Sequence, residues 1–349
     1  MQKKHVLYYD IIKIVAAYMV CFYHLGMLDL GTVTETFYVP NFNRLVLNLC
    51  AMSVPLFFMV NGALMLRRSY SVKEVAIKFI KFLFLYYFWV LVIGKIGEFF
   101  FDIAKLSIRE ILEGYRNTIT VHLWFFKTIA RLAILTPLFK LLYDHRNKRW
   151  LYLIMACLFI CPFVYNYFVL FASWFEWKPF NNLPVTGVDT MYSVLYFFLG
   201  KIISDMKPQE NNTHKKYKIS ALISIIAGWL MVSVEVTLWS NIQGSVYDGV
   251  NSSFPTIGAL LMAAGTFYLF SQIDFAPENR GKKVIKLLAD NIMGVYVFHP
   301  IVIRWIRRIY KGVVPLGIKC ILTLVIIVGL AIFTNILKKI PVVRKTVEM

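Results

Sequence analysis

Charged residues are scarce in this sequence. They make up 16% of its 349 residues, whereas soluble globular proteins carry about 25%. Hydrophobic residues make up 59%, and several apolar runs reach the roughly 20 residues that a helix needs to cross a bilayer. The shortage of charge excludes a soluble domain. The long runs predict an all-α integral membrane protein, with one polytopic domain over residues 1–349.

Cysteine is also scarce, and the few cysteines all lie in apolar runs. Cys157 and Cys161 are one helical turn apart, but neither has a histidine or carboxylate nearby at the spacing of a metal ligand. We therefore expect no metal site and no disulfide framework, only small buried hydrophobic residues. Repeats, low-complexity tracts and a cleaved signal peptide are not expected either. The five cysteines are Cys21, Cys50, Cys157, Cys161 and Cys320.

Acidic residues are outnumbered two to one: 19 Asp and Glu stand against 38 Lys and Arg, a net charge of +19. Such an excess can indicate nucleic-acid binding, but here Lys and Arg concentrate in every second loop between ten apolar segments. That bias predicts cytoplasmic termini in a multi-pass protein of the cell membrane, in contact with lipid and without a nucleic-acid partner. The ten predicted transmembrane helices cover about 9–28, 45–66, 76–101, 121–142, 150–171, 189–206, 217–240, 254–274, 287–306 and 315–337.

Two ionisable residues interrupt the first apolar run. Lys13 and His24 are eleven positions apart, which is three helical turns plus roughly 20°, so both side chains lie on one face about 16 Å apart along the axis. An ionisable group within a membrane-length helix is costly and by default marks a functional interior. The pair therefore predicts a polar pathway through the protein rather than a lipid-facing surface.

Other ionisable groups recur at two depths of the predicted transmembrane helices. The ionisable groups at the outer level predict a polar chamber that faces outward. Those at the inner level predict a path for a phosphorylated ligand that enters from the cytoplasm. Lys78 and Lys81 are helix-face neighbours at the inner level, and taken alone they fit two lysines that anchor the helix at the membrane interface equally well. The outer group is His24, His122, His299, Glu98, Asp189, Glu235 and Asp248; the inner group is Lys13, Lys78, Lys81, Lys127 and Arg131.

Several motifs together resemble those of one known family. Asp10, Lys13 and His24 match a first helix with Asp, a basic residue, ten residues and His. The segment VPLFFMVNGALML keeps Gly62 but has Asn61 where Ser is usual, and Lys78 and Lys81 match a basic pair in which Arg is commoner. The segments HLWFF, YFFLG and VFHP also match. The chain thus resembles the acyltransferase-3 family of integral membrane acyltransferases, many of which O-acetylate cell-surface carbohydrates.

The resemblance implies that acetyl-CoA or another short acyl-CoA is the donor, with no metal, and that a hydroxyl of a cell-surface or lipid-linked carbohydrate is the acceptor. His24 would act as general base or as covalent acyl carrier, and both routes stay open. Asn61, His299 and Trp124 are candidate donors to the oxyanion. The predicted catalytic residues are His24, Asn61 and His299; those that bind the cofactor are Lys13, Lys78, Lys81 and Arg131; those that bind the acceptor are His122, Trp124, Glu235 and Asp189. For Glu235 and Asp189, orienting His24 is an equal alternative to binding the sugar.

Two other classes of protein fit the composition. A transporter or flippase for a glycolipid or anionic solute would explain the intramembrane charges, although transporters usually show internal repeats and broken helices. A structural or sensory membrane protein would not need Lys13 and His24 on one face. The sequence leaves open the acceptor, the choice between acetyl and succinyl or another acyl group, and a homodimer as the alternative to a monomer.

Overall fold

The computed structural model describes residues 6–26, 32–33, 38–113, 117–177, 191–206, 212–252, 254–273 and 280–348. These residues are almost entirely helical. The first half contains α1 (Leu7–Gly26), β1 (Thr32–Val33), β2 (Tyr38–Val39), α2 (Phe42–Asn48), α3 (Ser53–Met65), α4 (Val72–Phe101), α5 (Ile108–Glu113), α6 (Trp124–Asp144), α7 (Arg149–Phe159) and α8 (Tyr165–Trp174). The second half contains α9 (Tyr192–Asp205), α10 (Asn212–Gln243), α11 (Gly249–Ser252), α12 (Ile257–Ser271), α13 (Arg280–Asp290), α14 (Ile292–Ile309), α15 (Leu316–Leu337) and α16 (Pro341–Val347).

Short irregular helices join some of these elements. A 3₁₀ turn, Leu49–Met52, links α2 to α3, and another, Val121–Leu123, precedes α6. A π-helical turn, Ile160–Val164, joins α7 to α8. It contains Pro162, which has no backbone N–H to continue an α-helical ladder, so the wider turn has a local cause. The two β-strands pair antiparallel, with Thr32 opposite Val39.

The helices are those of an all-α membrane protein. Within the described residues, six helical stretches are long and apolar enough to cross a bilayer, or seven if α13 and α14 count as one broken transmembrane helix. Each of the ten predicted segments contains helix, but three of them do not meet that standard. Two of the three, α9 and α12, have 14 and 15 residues, and the third, α6, contains Lys127, Arg131, Lys140 and Asp144.

The chain folds into two compact units. The first comprises residues 1–64, 147–289 and 313–323. Within it, α3 and α9 touch backbone to backbone at two glycines: a Cβ added to Gly62 would lie 1.8 Å from the carbonyl oxygen of Phe197, and one added to Gly200 would lie 2.0 Å from that of Met59. Only glycine permits this approach, so the glycines of the FFMVNG and YFFLG motifs form a helix-crossing point.

The second unit comprises residues 65–146, 290–312 and 324–349. Here α4 packs along α6, and the buried indole of Trp89 donates to the backbone oxygen of Thr346 in α16 at 3.0 Å. The same ring meets Phe298 of α14 edge-on at 5.2 Å between centroids. Trp89 thus connects three elements of this unit that are distant in sequence.

Candidate functional site

The helix α1 carries Lys13 near its start and His24 near its end. Lys13 Nζ lies 2.7 Å from a carboxylate oxygen of Asp10, whose side chain is 5% exposed. The spacing of three residues places both on one helix face, so the ammonium neutralises a carboxylate that burial would otherwise penalise. Lys13 is therefore ion-paired at this end, eleven residues before His24.

His24 lies in the last turn of α1 and is partly buried. Its ring meets that of Tyr23 edge-on at 5.0 Å between centroids. The hydroxyl of Tyr23 donates to the carboxylate of Asp248 in the segment before α11. A partly buried carboxylate and a tyrosine hydroxyl therefore lie near the residue predicted as the general base.

Asn61 follows the FF pair in α3, one residue before the crossing point at Gly62. Its amide Nδ2 donates to the carbonyl of Phe57, one turn earlier, at 2.8 Å. The sequence predicted Asn61 as a donor to an oxyanion, but this donor is bonded to its own helix. The amide would have to exchange that bond for one to a ligand.

In the second unit, His122 and His299 come together. The centroids of their rings are 5.1 Å apart, and the side chains are 6% and 0% exposed. His122 belongs to the 3₁₀ turn before α6, and the hydroxyl of Tyr296 in α14 donates to its carbonyl oxygen. The sequence predicted both histidines at one depth, and this unit brings them into ring contact.

Pro300 explains how the ring of His299 is held. In a regular α-helix the carbonyl of Tyr296 would accept from the N–H four residues later, but that residue is Pro300, which has none. Nδ1 of His299 lies 2.7 Å from this carbonyl oxygen and 3.2 Å from that of Val295. A carbonyl can only accept, so Nδ1 carries the proton. In the neutral ring Nε2 is then the acceptor.

This tautomer changes the predicted role of His299. A neutral imidazole whose Nδ1–H bonds the backbone presents Nε2 as a lone pair, not as a donor. It suits a proton acceptor, and it could stabilise an oxyanion only as the charged imidazolium. The VFHP motif therefore encodes an oriented base more readily than an oxyanion hole.

The start of α4 carries the predicted phosphate-binding lysines. A capping box between Ser71 and Glu74 begins the helix. Lys78 Nζ lies 4.1 Å from the centroid of the Tyr70 ring, and the guanidinium of Arg68 lies 4.4 Å from the same centroid. Lys81 is one turn further along and partly exposed. The ring of Tyr70 thus makes cation–π contacts with both Arg68 and Lys78 near the start of α4.

The remaining predicted residues lie in varied surroundings. Arg131 is exposed on α6, and Trp124 at its start is partly buried beside Phe125, with centroids 6.3 Å apart. In the first unit Glu235 of α10 is 5% exposed, and the Tyr167 hydroxyl lies 3.5 Å from its carboxylate. Asp189 lies outside the described residues.

Comparison with known proteins identifies the family. The family model described as an acyltransferase domain, that of the acyltransferase-3 family, matches residues 6–336. The chain belongs to the acyltransferase-3 family. Comparisons with curated proteins and with solved structures gave no match. As an acyltransferase-3 protein with several membrane-length helices, the chain is an acyltransferase of a membrane. The match extends over the helices that carry the motifs, namely α1, α3, α4, α6, α9 and α14.

The two most deeply buried cations among the described residues are not site residues that the sequence predicted. Arg44 of α2 is 0% exposed, and Lys319 of α15 is 2% exposed. In the sequence Arg44 is one of several loop charges, and only the fold reveals its burial. Lys319 lies within a long apolar run, LGIKCILTL. The reasoning that singled out Lys13 applies to it equally and would have found it.

Proposed function

We propose that this protein transfers an acyl group, acetyl in the first instance, from cytoplasmic acyl-CoA to a hydroxyl of a cell-surface or lipid-linked carbohydrate at the outer side of the membrane. The observation that carries the proposal is His24 on a membrane-length helix of an acyltransferase-3 chain. A histidine there needs a function to offset the cost of its polar ring, and imidazole takes up protons near neutral pH.

In the direct route His24 acts as general base. Its unprotonated ring nitrogen accepts the proton of the acceptor hydroxyl while that oxygen bonds to the thioester carbonyl carbon. The carbonyl oxygen becomes an oxyanion, and the carbon–sulfur bond breaks as the carbonyl re-forms. The proton held by His24 then passes to the CoA thiolate. The products are an acyl ester and CoA thiol.

In the covalent route the same ring nitrogen attacks the thioester carbon and forms an acyl-imidazole, releasing CoA thiol. The acceptor hydroxyl then attacks the acyl carbon, and its proton is transferred to the departing imidazole. Both routes consume one thioester and yield one ester, so they have the same balance. Both also require His24, which makes its substitution the appropriate test of either.

CoA carries phosphates, and Lys78 and Lys81 are the proposed partners for them, with Lys13 and Arg131 as further cations. An ammonium binds phosphate as a point charge, without the paired contacts of arginine. The position of Lys78 over Tyr70 restricts the freedom of its flexible chain before any ligand arrives. The ion pair with Asp10 means that Lys13 would have to share its charge between the carboxylate and a phosphate.

The acceptor would meet the polar groups predicted at the outer level. His122, Trp124, Glu235 and Asp189 are the proposed acceptor-binding residues, and Asn61 and His299 are the proposed auxiliary catalytic residues. His299 would serve as a second proton acceptor, because its Nδ1 is bonded to the backbone. The proposed topology has ten transmembrane helices and cytoplasmic termini, in the cell membrane.

The test measures CoA thiol released from acetyl-CoA by the purified protein in liposomes. His24→Ala should reduce the rate by about 10²-fold or more, the usual contribution of a positioned general base. His145→Ala, at an exposed site after α6, is the matched control and should retain the wild-type rate. Release that persists in His24→Ala would remove the catalytic assignment. No release and no CoA binding by the wild type would favour the transporter.

A further inference from the structure

Two buried cations lie around the last turn of α1, where His24 is located. Arg44 and Lys319 are among the largest fully buried side chains of the described residues. They come from α2 and from the start of α15, both within the first compact unit. Their surroundings are apolar: Phe22, Leu47 and Val250 pack together there with the ring of Tyr23 and the thiol of Cys50. Buried charges are costly unless they are paired or bind a ligand.

Arg44 has unused hydrogen-bonding capacity. Its Nη2 donates to the backbone oxygen of Tyr247 at 2.5 Å. Among the described residues, its Nε and Nη1 have no hydrogen-bond partner. The guanidinium has five N–H donors, and three of them are therefore unused: one at Nε and two at Nη1. A fully buried guanidinium with three unused donors is suited to bind the oxygens of an anion.

Lys319 brings the second positive charge to the same turn. A Cβ added to Gly26 would lie 3.2 Å from its Nζ, so the ammonium lies against the backbone two residues beyond His24. The Nζ is also 5.7 Å from the centroid of the Phe22 ring. The carboxyl end of α1 favours a cation, which explains why an ammonium is tolerated here.

The two cations belong to one electrostatic environment. Arg44 is close enough to Tyr23 to act on its hydroxyl, and Lys319 is close enough to act on the thiol of Cys50. The carboxylate of Asp248 accepts from Tyr23 in the same cluster. Tyr23 thus lies near both the carboxylate of Asp248 and the guanidinium of Arg44, and Lys319 adds a second cation beside the same apolar cluster.

We propose that Arg44 and Lys319 bind the acidic group, a carboxylate or phosphate, of the acceptor carbohydrate. This rests on the proposed function, and it specifies an acidic sugar as the acceptor class. The position selects the acceptor rather than the donor, because the site is at the His24 end of α1. That end is about 16 Å along the helix axis from Lys13, which marks the proposed donor end.

The experiment measures the binding of three sugars to the purified full-length protein in detergent by calorimetry. Glucuronate carries a carboxylate, glucose 6-phosphate carries a phosphate, and glucose is the neutral match. At least one acidic sugar should bind at least tenfold more tightly than glucose, and the stronger of the two identifies the acidic group. Equal binding of all three, or no binding of either acidic sugar, would overturn the proposal.

Variants locate the site. Arg44→Gln and Lys319→Gln should each weaken the binding of the acidic sugar at least tenfold, while Lys339→Gln, an exposed cation after α15, should leave it unchanged. Unchanged binding in both Arg44→Gln and Lys319→Gln contradicts the proposal. If Arg44→Gln fails to fold, Arg44→Lys, which retains the charge, and Lys319→Gln complete the test together with the wild-type comparison.

The binding assay separates this proposal from the proposed function. His24→Ala should still bind the acidic sugar at least tenfold more tightly than glucose, because Arg44 and Lys319 provide that preference. A wild-type protein that binds glucuronate but never transfers an acyl group would contradict the enzymatic proposal alone. A wild-type protein that transfers acyl groups equally well to neutral and acidic sugars would contradict the anion site alone.

Discussion

At the scale of single residues, the carbonyl of Tyr296 determines how His299 is oriented. Pro300 removes the helical donor to this carbonyl, and His299 Nδ1 takes its place. The orientation of a candidate base thus depends on a neighbour that has no ionisable group. Pro300 therefore differs from a proline that only interrupts a helix. Pro137, which lies within α6, serves as the comparison.

Pro300→Ala should lower acyl transfer without lowering thermal stability. The restored N–H competes for the Tyr296 carbonyl, and the loss of one oriented hydrogen bond of about 0.5–1.5 kcal/mol predicts up to roughly a tenfold loss. Pro137→Ala restores a helical N–H far along the sequence from any predicted site histidine and should retain full turnover. Transfer rates and thermal midpoints of both variants check this. Equal rates in the two variants would show that Pro300 does not serve His299.

Gly62→Ala should lower the thermal midpoint of unfolding. Its Cβ would be 1.8 Å from the Phe197 carbonyl oxygen, and the backbones of α3 and α9 would have to separate. Overpacking of this kind typically costs about 1–3 kcal/mol, occasionally more. Gly329→Ala in α15 is the control, since a Cβ there meets nothing within 4 Å among the described residues. Thermal midpoints in detergent compare them, and an unchanged midpoint for Gly62→Ala would refute the backbone contact.

Residues whose partners are close in sequence could be predicted from spacing alone. Asp10 and Lys13 lie on one face of α1 because they are three residues apart. Both belong to the first-helix motif, and they form an ion pair. Arg44 could not be recognised in this way. Its guanidinium donates to Tyr247, which is 203 positions away, and a short polar loop predicts an exposed arginine. Its burial depends on long-range packing that no local pattern encodes.

At the scale of elements, the entrance of α4 illustrates how a helix start prepares a ligand site. The capping box at Ser71 fixes where the helix begins, and Arg68 also bridges to Glu74 at 2.9 Å. Tyr70 then holds Lys78 from the loop side. These contacts fix the orientation of the helix face that carries Lys78 and Lys81 relative to the loop before α4.

Lys78→Ala combined with Lys81→Ala should weaken acetyl-CoA binding on the order of tenfold. The KM for acetyl-CoA should rise while kcat stays near the wild-type value, because phosphate contacts remote from the thioester contribute equally to the ground and transition states. Steady-state kinetics measure both constants. Lys73→Ala, an exposed lysine in the first turn of α4, is the control. An unchanged KM in the double variant would make the two lysines interfacial anchors only.

Sequence patterns located the helices better than they located the ends and the breaks. Apolar periodicity placed helix in all ten predicted segments. It did not foresee that 42–65 comprises α2, a 3₁₀ turn and α3, or that a π-helical turn interrupts 149–174. Local hydrogen-bond geometry determines where a helix breaks, and the pattern of apolar residues does not depend on that geometry. In the segment 102–120, the described residues form the six-residue α5, with exposed Ile108 and Leu112, and a turn at 118–120.

At the scale of the whole molecule, the distribution of charge predicts the orientation in the membrane. The loop after α10 contains few basic residues, whereas the segment at the start of α10 is rich in lysine. Positive residues are retained on the cytoplasmic side. The net charge of +19 would then be concentrated on one side of the bilayer, where the anionic donor is proposed to bind.

Single cysteines should report that orientation. In a background with Cys157→Ser, which removes the exposed native thiol, Ser245→Cys should react with an impermeant maleimide applied to intact cells. Lys215→Cys should react only after lysis. Both sites are exposed, so a difference in labelling reflects the side of the membrane. The reverse pattern would invert the topology and place the acceptor chemistry in the cytoplasm.

We propose that this protein transfers an acyl group from CoA to a carbohydrate and that the transfer requires His24. The most direct measurement uses liposomes that contain the protein, with radiolabelled acetyl-CoA on one side and an acidic oligosaccharide on the other. We expect label on the carbohydrate with the wild type and at least about a 10²-fold reduction with His24→Ala, given the usual contribution of a general base. Equal labelling by the wild type and His24→Ala would contradict this mechanism.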